Sequence, residues 1–127
     1  MAKKIVEENA APLRNEACAT VSNAGVTPRK ARLVIDCVRG KDIDDAYSLL
    51  NNLNKAASPI VAKLIKSAEA NAVNNFKMNR ADLYIATIYA NDGSKLKRFL
   101  PRAKGSASGL VKRLCNITVV LKEKGTK

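Results

Sequence analysis

Two segments of this chain, LYIATIYA at 83–90 and NITVVLKE at 116–123, alternate and are rich in β-branched residues, so both read as strands. Consecutive strands usually pair, which makes these two an antiparallel hairpin. The residues between them, 91–115, far exceed the usual hairpin loop of about two to five residues. Most of that interval is KLKRFLPRAKGSASGLVKR, Lys95–Arg113, with seven basic side chains and no acidic one. Any fold for this chain must hold two strands together across that interruption.

If both halves continue as a ribbon, each contributes about twelve residues and reaches on the order of 40 Å at ~3.3 Å per residue. A compact body of about 100 residues has a radius of gyration near ~13 Å, so the arm would match the body in width. A two-stranded ribbon is marginal in water, and this one offers no hydrophobic face to bury. Something outside the domain must hold it. Clustered Lys and Arg select phosphate, and Gly105 and Gly109 would let the backbone approach closely. The competing reading is a disordered basic loop.

The chain of 127 residues suits one domain, with residues 1–15 expected as a flexible extension, a body from 16 to 124 and a short tail at 125–127. Its net charge of +12 costs self-repulsion unless a polyanion neutralises it. That charge is localised: residues 15–54 balance, whereas residues 91–127 carry ten bases against two acids. Only five residues are aromatic, so the core must be built from Ala, Val, Ile and Leu.

The rest of the chain reads as a scaffold. EACATVSN (16–23) offers a short strand before a turn at Asn23-Ala24-Gly25. Thr27-Pro28 is a cap followed by proline, opening a helix that stops at Gly40. Ala31, Val34, Ile35 and Val38 form its apolar side, with Arg29, Arg32, Asp36 and Arg39 opposite. Asp42, Asp44 and Asp45 open a second helix, whose apolar face is Ile43, Ala46, Tyr47, Leu50 and Leu53. Ser58-Pro59 repeats the cap-and-proline signal for a third helix to about Phe76. Its stripe is Val61, Leu64, Ile65, Ala68, Ala72 and Phe76, with Lys63, Lys66, Asn74 and Lys77 opposite. The expected fold is α+β: a two-layer arrangement in which a three-stranded antiparallel sheet is covered by three helices, with a long protruding hairpin.

Several function classes are poorly served. With no histidine the common general base is missing and no CxxC occurs, while Asp42, Asp44 and Asp45, which could imitate a metal site, are explained as acids opening a helix. KGSASG lacks the GxxxxGK[ST] spacing of a phosphate-cradling loop. No apolar run approaches the ~20 residues of a membrane span. Cys18, Cys37 and Cys115 read as small buried thiols in a reducing compartment. MAKKIVEEN has no signal-peptide apolar region, so a cytoplasmic protein is expected. No catalytic residue, metal, cofactor, small-molecule substrate or membrane partner is indicated. A free-standing nucleic-acid-binding protein would share the charge, but Phe99 is the only aromatic in the arm to serve as a stacking platform.

PRKARLV (28–34), VRG (38–40), SAEANAVNN (67–75) and above all LKRFLPRAKG (96–105) leading into ITVVL (117–121) resemble the universal large-subunit ribosomal protein family numbered twenty-two. The likeness spans roughly residues 16–124, in order and with compatible spacing. It implies a body on the outer surface of the large subunit near the nascent-peptide tunnel, beside neighbouring ribosomal proteins. The hairpin would thread ribosomal RNA and its tip would line the tunnel, meeting the nascent peptide. Lys97, Arg98, Pro101, Arg102, Lys104 and Gly105 match the family's hairpin motif. Ser106 departs from it, because many relatives have arginine there, and so does the region of Ser108 and Gly109, where relatives carry another charge. The basic faces and the resemblance together nominate Arg29, Lys30, Arg32, Lys63, Lys66, Lys77, Lys95, Lys97, Arg98, Arg102, Lys104, Lys112 and Arg113 as ribosomal-RNA contacts. Leu100, Pro101, Arg102, Ala103, Lys104, Gly105 and Ser106 are nominated as the tunnel-lining tip.

Overall fold

The computed structural model describes residues 16–125; the expected extension at 1–15 and the last two residues of the tail lie outside the described residues. In chain order the elements are β1 (Glu16–Ala24), α1 (Pro28–Val38), α2 (Ile43–Asn52), α3 (Ser58–Phe76), β2 (Leu83–Pro101) and β3 (Ala107–Glu123). A short 3₁₀ turn at Arg80–Asp82 and a tight turn at Ala103–Gly105 complete the set. The sheet order is β1-β3-β2, antiparallel throughout. Helices α1 and α3 lie across one face, chiefly over β2 and β1 respectively.

Both covering helices present small or branched apolar residues at helical spacing. From α1 these are Ala31, Val34, Ile35 and Val38; from α3 they are Val61, Leu64, Ile65, Ala68 and Ala72. The sheet answers with Ala17, Leu83, Ile85, Ile88, Ala90, Cys115, Ile117, Val119 and Leu121. The alanines let helix and sheet approach closely, which is how a core without a fully buried aromatic ring reaches protein-like density. Each fully buried Ile or Leu contributes about 1.5–3 kcal/mol by leaving water.

Helix signals in the sequence located the elements better than they assigned hydrogen bonds. Thr27 occupies the N-cap of α1, with Pro28 as its first residue, but the threonine side chain makes no cap bond. Ser58 is not the cap of α3: Ala57 is, and Ser58 is buried inside the first turn with its hydroxyl unpartnered. Asp42 caps α2 by position only, its carboxylate turning to the Lys124 ammonium (Oδ2 2.7 Å). Gly40 does end α1, at φ 74°, and donates to the Ile85 carbonyl at 3.0 Å. The thiols need correction: only Cys115 is buried, while Cys18 and Cys37 are exposed on β1 and α1.

The sheet contains three irregularities, and two of them define where the body ends. β2 gains an extra residue near Ala86, so Ile85 and Ile88 both face the helices while Thr87 and Tyr89 face away. Further on, β1 has an extra residue between Val21 and Ala24, and β2 has one between Asp92 and Lys95. These two bulges lie on opposite sides of β3, the first across from Asn116 and the second across from Leu114. Asn116 Oδ1 accepts the Asn23 amide at 2.8 Å, and Asn23 Oδ1 accepts the Ser94 amide at 3.0 Å. Asn23 itself is left-handed, at φ 54°, as asparagine tolerates. The asparagine pair thus ties all three strands together at the point where β1 stops and β2 and β3 continue alone.

Gly93 sits inside this knot. A Cβ there would lie 2.9 Å from Asn23 Oδ1, 3.1 Å from Asn116 Oδ1 and 3.2 Å from the Leu114 carbonyl carbon. Gly93→Ala should therefore destabilise the protein by about 1–3 kcal/mol through overpacking, and Asn116→Ala by roughly 0.5–1.5 kcal/mol through the lost hydrogen bond. Gly109→Ala, where a Cβ meets nothing within 4 Å, should stay within about 0.5 kcal/mol of the parent. Urea unfolding midpoints measure all three; an undisturbed Gly93→Ala midpoint would show that the knot yields.

Candidate nucleic-acid interface

Beyond Asp92 and Cys115 the ribbon of β2 and β3 leaves the body and continues to the pair Pro101 and Ala107. At ~3.3 Å per residue the eight steps of β3 from Cys115 to Ala107 span roughly 26 Å, and the turn brings the arm to about 30 Å. This is shorter than the 40 Å expected, because five residues, Arg102–Ser106, are taken up by the turn and the bulge absorbs another. In the structure the interval is a paired two-stranded ribbon. Its register is Lys95 with Arg113, Leu96 with Lys112, Lys97 with Val111, Arg98 with Leu110, Phe99 with Gly109 and Leu100 with Ser108.

Cross-strand partners share a face, so the register sorts the side chains. One face, continuous with the helix-covered side of the sheet, carries Lys95, Arg113, Lys97, Val111, Phe99, Gly109, Pro101 and Ala107. The other carries Leu96, Lys112, Arg98, Leu110, Leu100 and Ser108. Bases therefore stand on both faces, with Arg102 and Lys104 at the turn. Between Asp92 and Glu123 the chain carries no acidic residue. A ribbon that is cationic on both sides fits an anion that surrounds it better than one that lies flat against it.

The turn is built by its own polar groups. The Arg102 amide donates to the Ser106 carbonyl at 2.8 Å, and the Ser106 hydroxyl donates to the Ala103 carbonyl at 2.8 Å. Lys104 and Gly105 are both left-handed, at φ 58° and 72°. Ser106 is thus a clamp within the turn, a role its sequence position did not disclose. Arg102 is positioned by donating from Nε to Ser108 Oγ at 3.1 Å.

The body's nominated bases fall in separate places. Arg29, Lys30 and Arg32 are exposed on α1, whose N-terminal half lies toward the root of the arm. Arg32 is partly committed: its Nε and Nη2 donate to the Ala90 carbonyl at 3.1 and 3.0 Å, fastening α1 to β2. Lys30 borders a cleft of about 380 Å³ with Leu33, Asn54 and Lys55. Lys63 and Lys66 are exposed on α3, and Lys63 borders a cleft of about 280 Å³ beside Thr20 and Val21. Lys77 closes α3 in a left-handed conformation, at the end of the body opposite the arm. The structure gathers the seven arm bases into one projection and does not bring Lys77 near them.

Sequence reasoning missed the arm's apolar groups. Leu96, Leu100 and Leu110 are exposed on one face, with Val111 and Phe99 exposed on the other. The arm does have hydrophobic surface, but the body covers none of it. The signal was present in LKRFL and GLVKR, where apolar and basic residues are interleaved.

Residues 19–122 match the family model described as Ribosomal protein L22p/L17e. Large ribosomal subunit protein uL22 of Acetivibrio thermocellus is 51% identical over 111 residues, covering 87% of this chain and 89% of that protein. The protein of the same name from Pediococcus pentosaceus is 50% identical over 106 residues, covering 84% and 90%. That of Lacticaseibacillus casei is 47% identical over 108 residues, covering 85% and 92%.

Because the arm's backbone bonds are shielded by little besides solvated side chains, they should open far more readily than those of the body. Amide exchange in the isolated protein should be slow at 117–121 and fast at 95–113. Strong protection across 95–113 without any polyanion would show that the ribbon is stable by itself.

Proposed function

The chain belongs to the ribosomal protein L22p/L17e family, and from that premise we propose how its parts divide the work of a large-subunit constituent. Membership makes it a structural component of the large ribosomal subunit, associated with ribosomal RNA and other ribosomal proteins in the cytoplasm, and not an enzyme. Residues 16–124 act as one ribosomal-protein domain, with 91–115 as its RNA-penetrating arm. Lys95, Lys97, Arg98, Lys112 and Arg113 neutralise phosphates on both sides of the stem. Arg29, Lys30, Arg32, Lys63 and Lys66 meet RNA at the body's surface, and Lys77 contacts it at the remote end. Leu100–Ser106, at the tip, face the passage travelled by the nascent peptide.

The single observation that carries the reading is the arm itself: from Lys95 to Arg113 it has no acid, five bases on the two faces of a ribbon that packs against nothing in its own chain, and two more at its turn. Counterion release from phosphates supplies the free energy of ordering it. The stem holds, and only the tip extends past what holds it.

Two measurements test this. If six or seven arm bases contact phosphate, binding to large-subunit ribosomal RNA should show a log–log salt slope of roughly −5 to −6, at about −0.7 to −0.9 per contact. Replacing Arg98 and Arg102 by alanine should reduce the slope by about 1.5. An unchanged slope would move the main contacts to the body. For the tip, Gly105→Val places a branched side chain at φ 72° and should distort the turn. Subunits carrying it should assemble normally while stalling by tunnel-sensing peptides changes. Failure to assemble, with stalling unaltered in whatever assembled, would reverse the roles of stem and tip.

A further inference from the structure

Phe99 is the most exposed large apolar side chain of the body and arm, at 81% exposure, although it sits in a regular strand with a paired neighbour. The neighbour explains the exposure. Phe99 pairs with Gly109, so the cross-strand position that would normally cover an aromatic ring holds no side chain. A Cβ built on Gly109 meets nothing within 4 Å, so neither the Phe99 ring nor any other group fills the space over the glycine, and an open bay remains on that side of the pair. Along the same face the bay is bounded by Lys97 and Val111 toward the body and by Pro101 and Ala107 toward the turn.

We propose that Phe99 and Gly109 form a stacking site for one unpaired nucleobase, a specific contact that rests on the RNA-binding reading of the arm and adds to it. A flat ring with one face open and no opposing side chain accepts a second flat ring, and base–aromatic stacking tolerates any base. Lys97 stands two residues away on the same face, within reach of the phosphate belonging to a stacked nucleotide. A protein partner fits less well. Its apolar surface would have to desolvate Lys97 and Arg113 on this face, and the stretch Lys95–Arg113 contains no acid to pair with them. The base must be unpaired or at a helix end, because bases within a duplex already have both faces stacked.

The test uses the full chain and two probes of matched length: oligoadenylate and inorganic polyphosphate. Phe99→Ala should weaken oligoadenylate binding by about 5- to 150-fold, leaving its salt slope and the affinity for polyphosphate unchanged. Gly109→Val, which fills the bay, should likewise weaken only oligoadenylate. The chain has no tryptophan, so Phe99→Trp supplies a unique fluorophore. Its emission should be quenched by oligoadenylate and not by polyphosphate. Parent protein that binds both probes with an affinity Phe99→Ala does not alter would overturn the stacking site alone, as would equal losses for the two probes. Parent protein that binds neither would overturn the RNA reading of the arm and the stacking site with it.

Discussion

The backbone hydrogen bonds between β2 and β3 run from the floor of the core out to the turn at Ala103, and the rest of the molecule depends on where their surroundings change. Up to Cys115, β3 is paired on both sides and roofed by α1 and α3. Past Cys115 it has one partner and no roof. The same strand is therefore a core element for half its length and a solvated cationic ribbon for the other half. The division falls at the Asn23–Asn116 knot, where two bulges on opposite sides of β3 end one regime and begin the other.

Placing the knot there has mechanical consequences. Bulges add local twist and bend, so the direction in which the arm leaves is fixed by Asn23, Gly93, Ser94 and Asn116 rather than by the arm's own residues. Arg32 reinforces the root from the helix side by holding the Ala90 carbonyl. At the body's remote end a separate polar cluster joins α2, α3 and the turn at Arg80: Tyr47 donates to Glu69 at 2.9 Å, and Arg80 reaches Asp44 at 2.9 Å. Burial, followed by the hydrogen bond to the Glu69 carboxylate, pushes the Tyr47 hydroxyl well above its usual range, so it stays a donor at any physiological pH. The body is thus braced at both ends, as a platform for a long lever must be.

Much of this was legible in the sequence, for definite reasons. The stripes of α1 and α3 were read correctly because each buries a single face against a single layer, which makes period 3.6 visible. Cap signals found the helix starts but not the hydrogen bonds: Ser58 lies one position inside its helix with its hydroxyl unpartnered, and the Thr27 side chain makes no cap bond. The strand at 83–90 hid a phase change at Ala86: strict alternation would group Thr87 and Tyr89 with Ile85, yet Ile88 is the residue inside. Exposure of Cys18 and Cys37 was not readable at all, since a thiol sits equally well on either side of an amphipathic element.

By itself the sequence determined the fold class, the concentration of positive charge in the interval between two strands, and the kinship carried by LKRFLPRAKG. These are properties of composition and of short-range order, and a linear chain displays them directly. Only the tertiary structure decided which arm residues share a face, that Phe99 stands opposite Gly109, that Ser106 clamps the turn, and that Asn116 ties three strands together. Each of those depends on register, and register is set by bulges whose cost or benefit is felt only when distant strands meet.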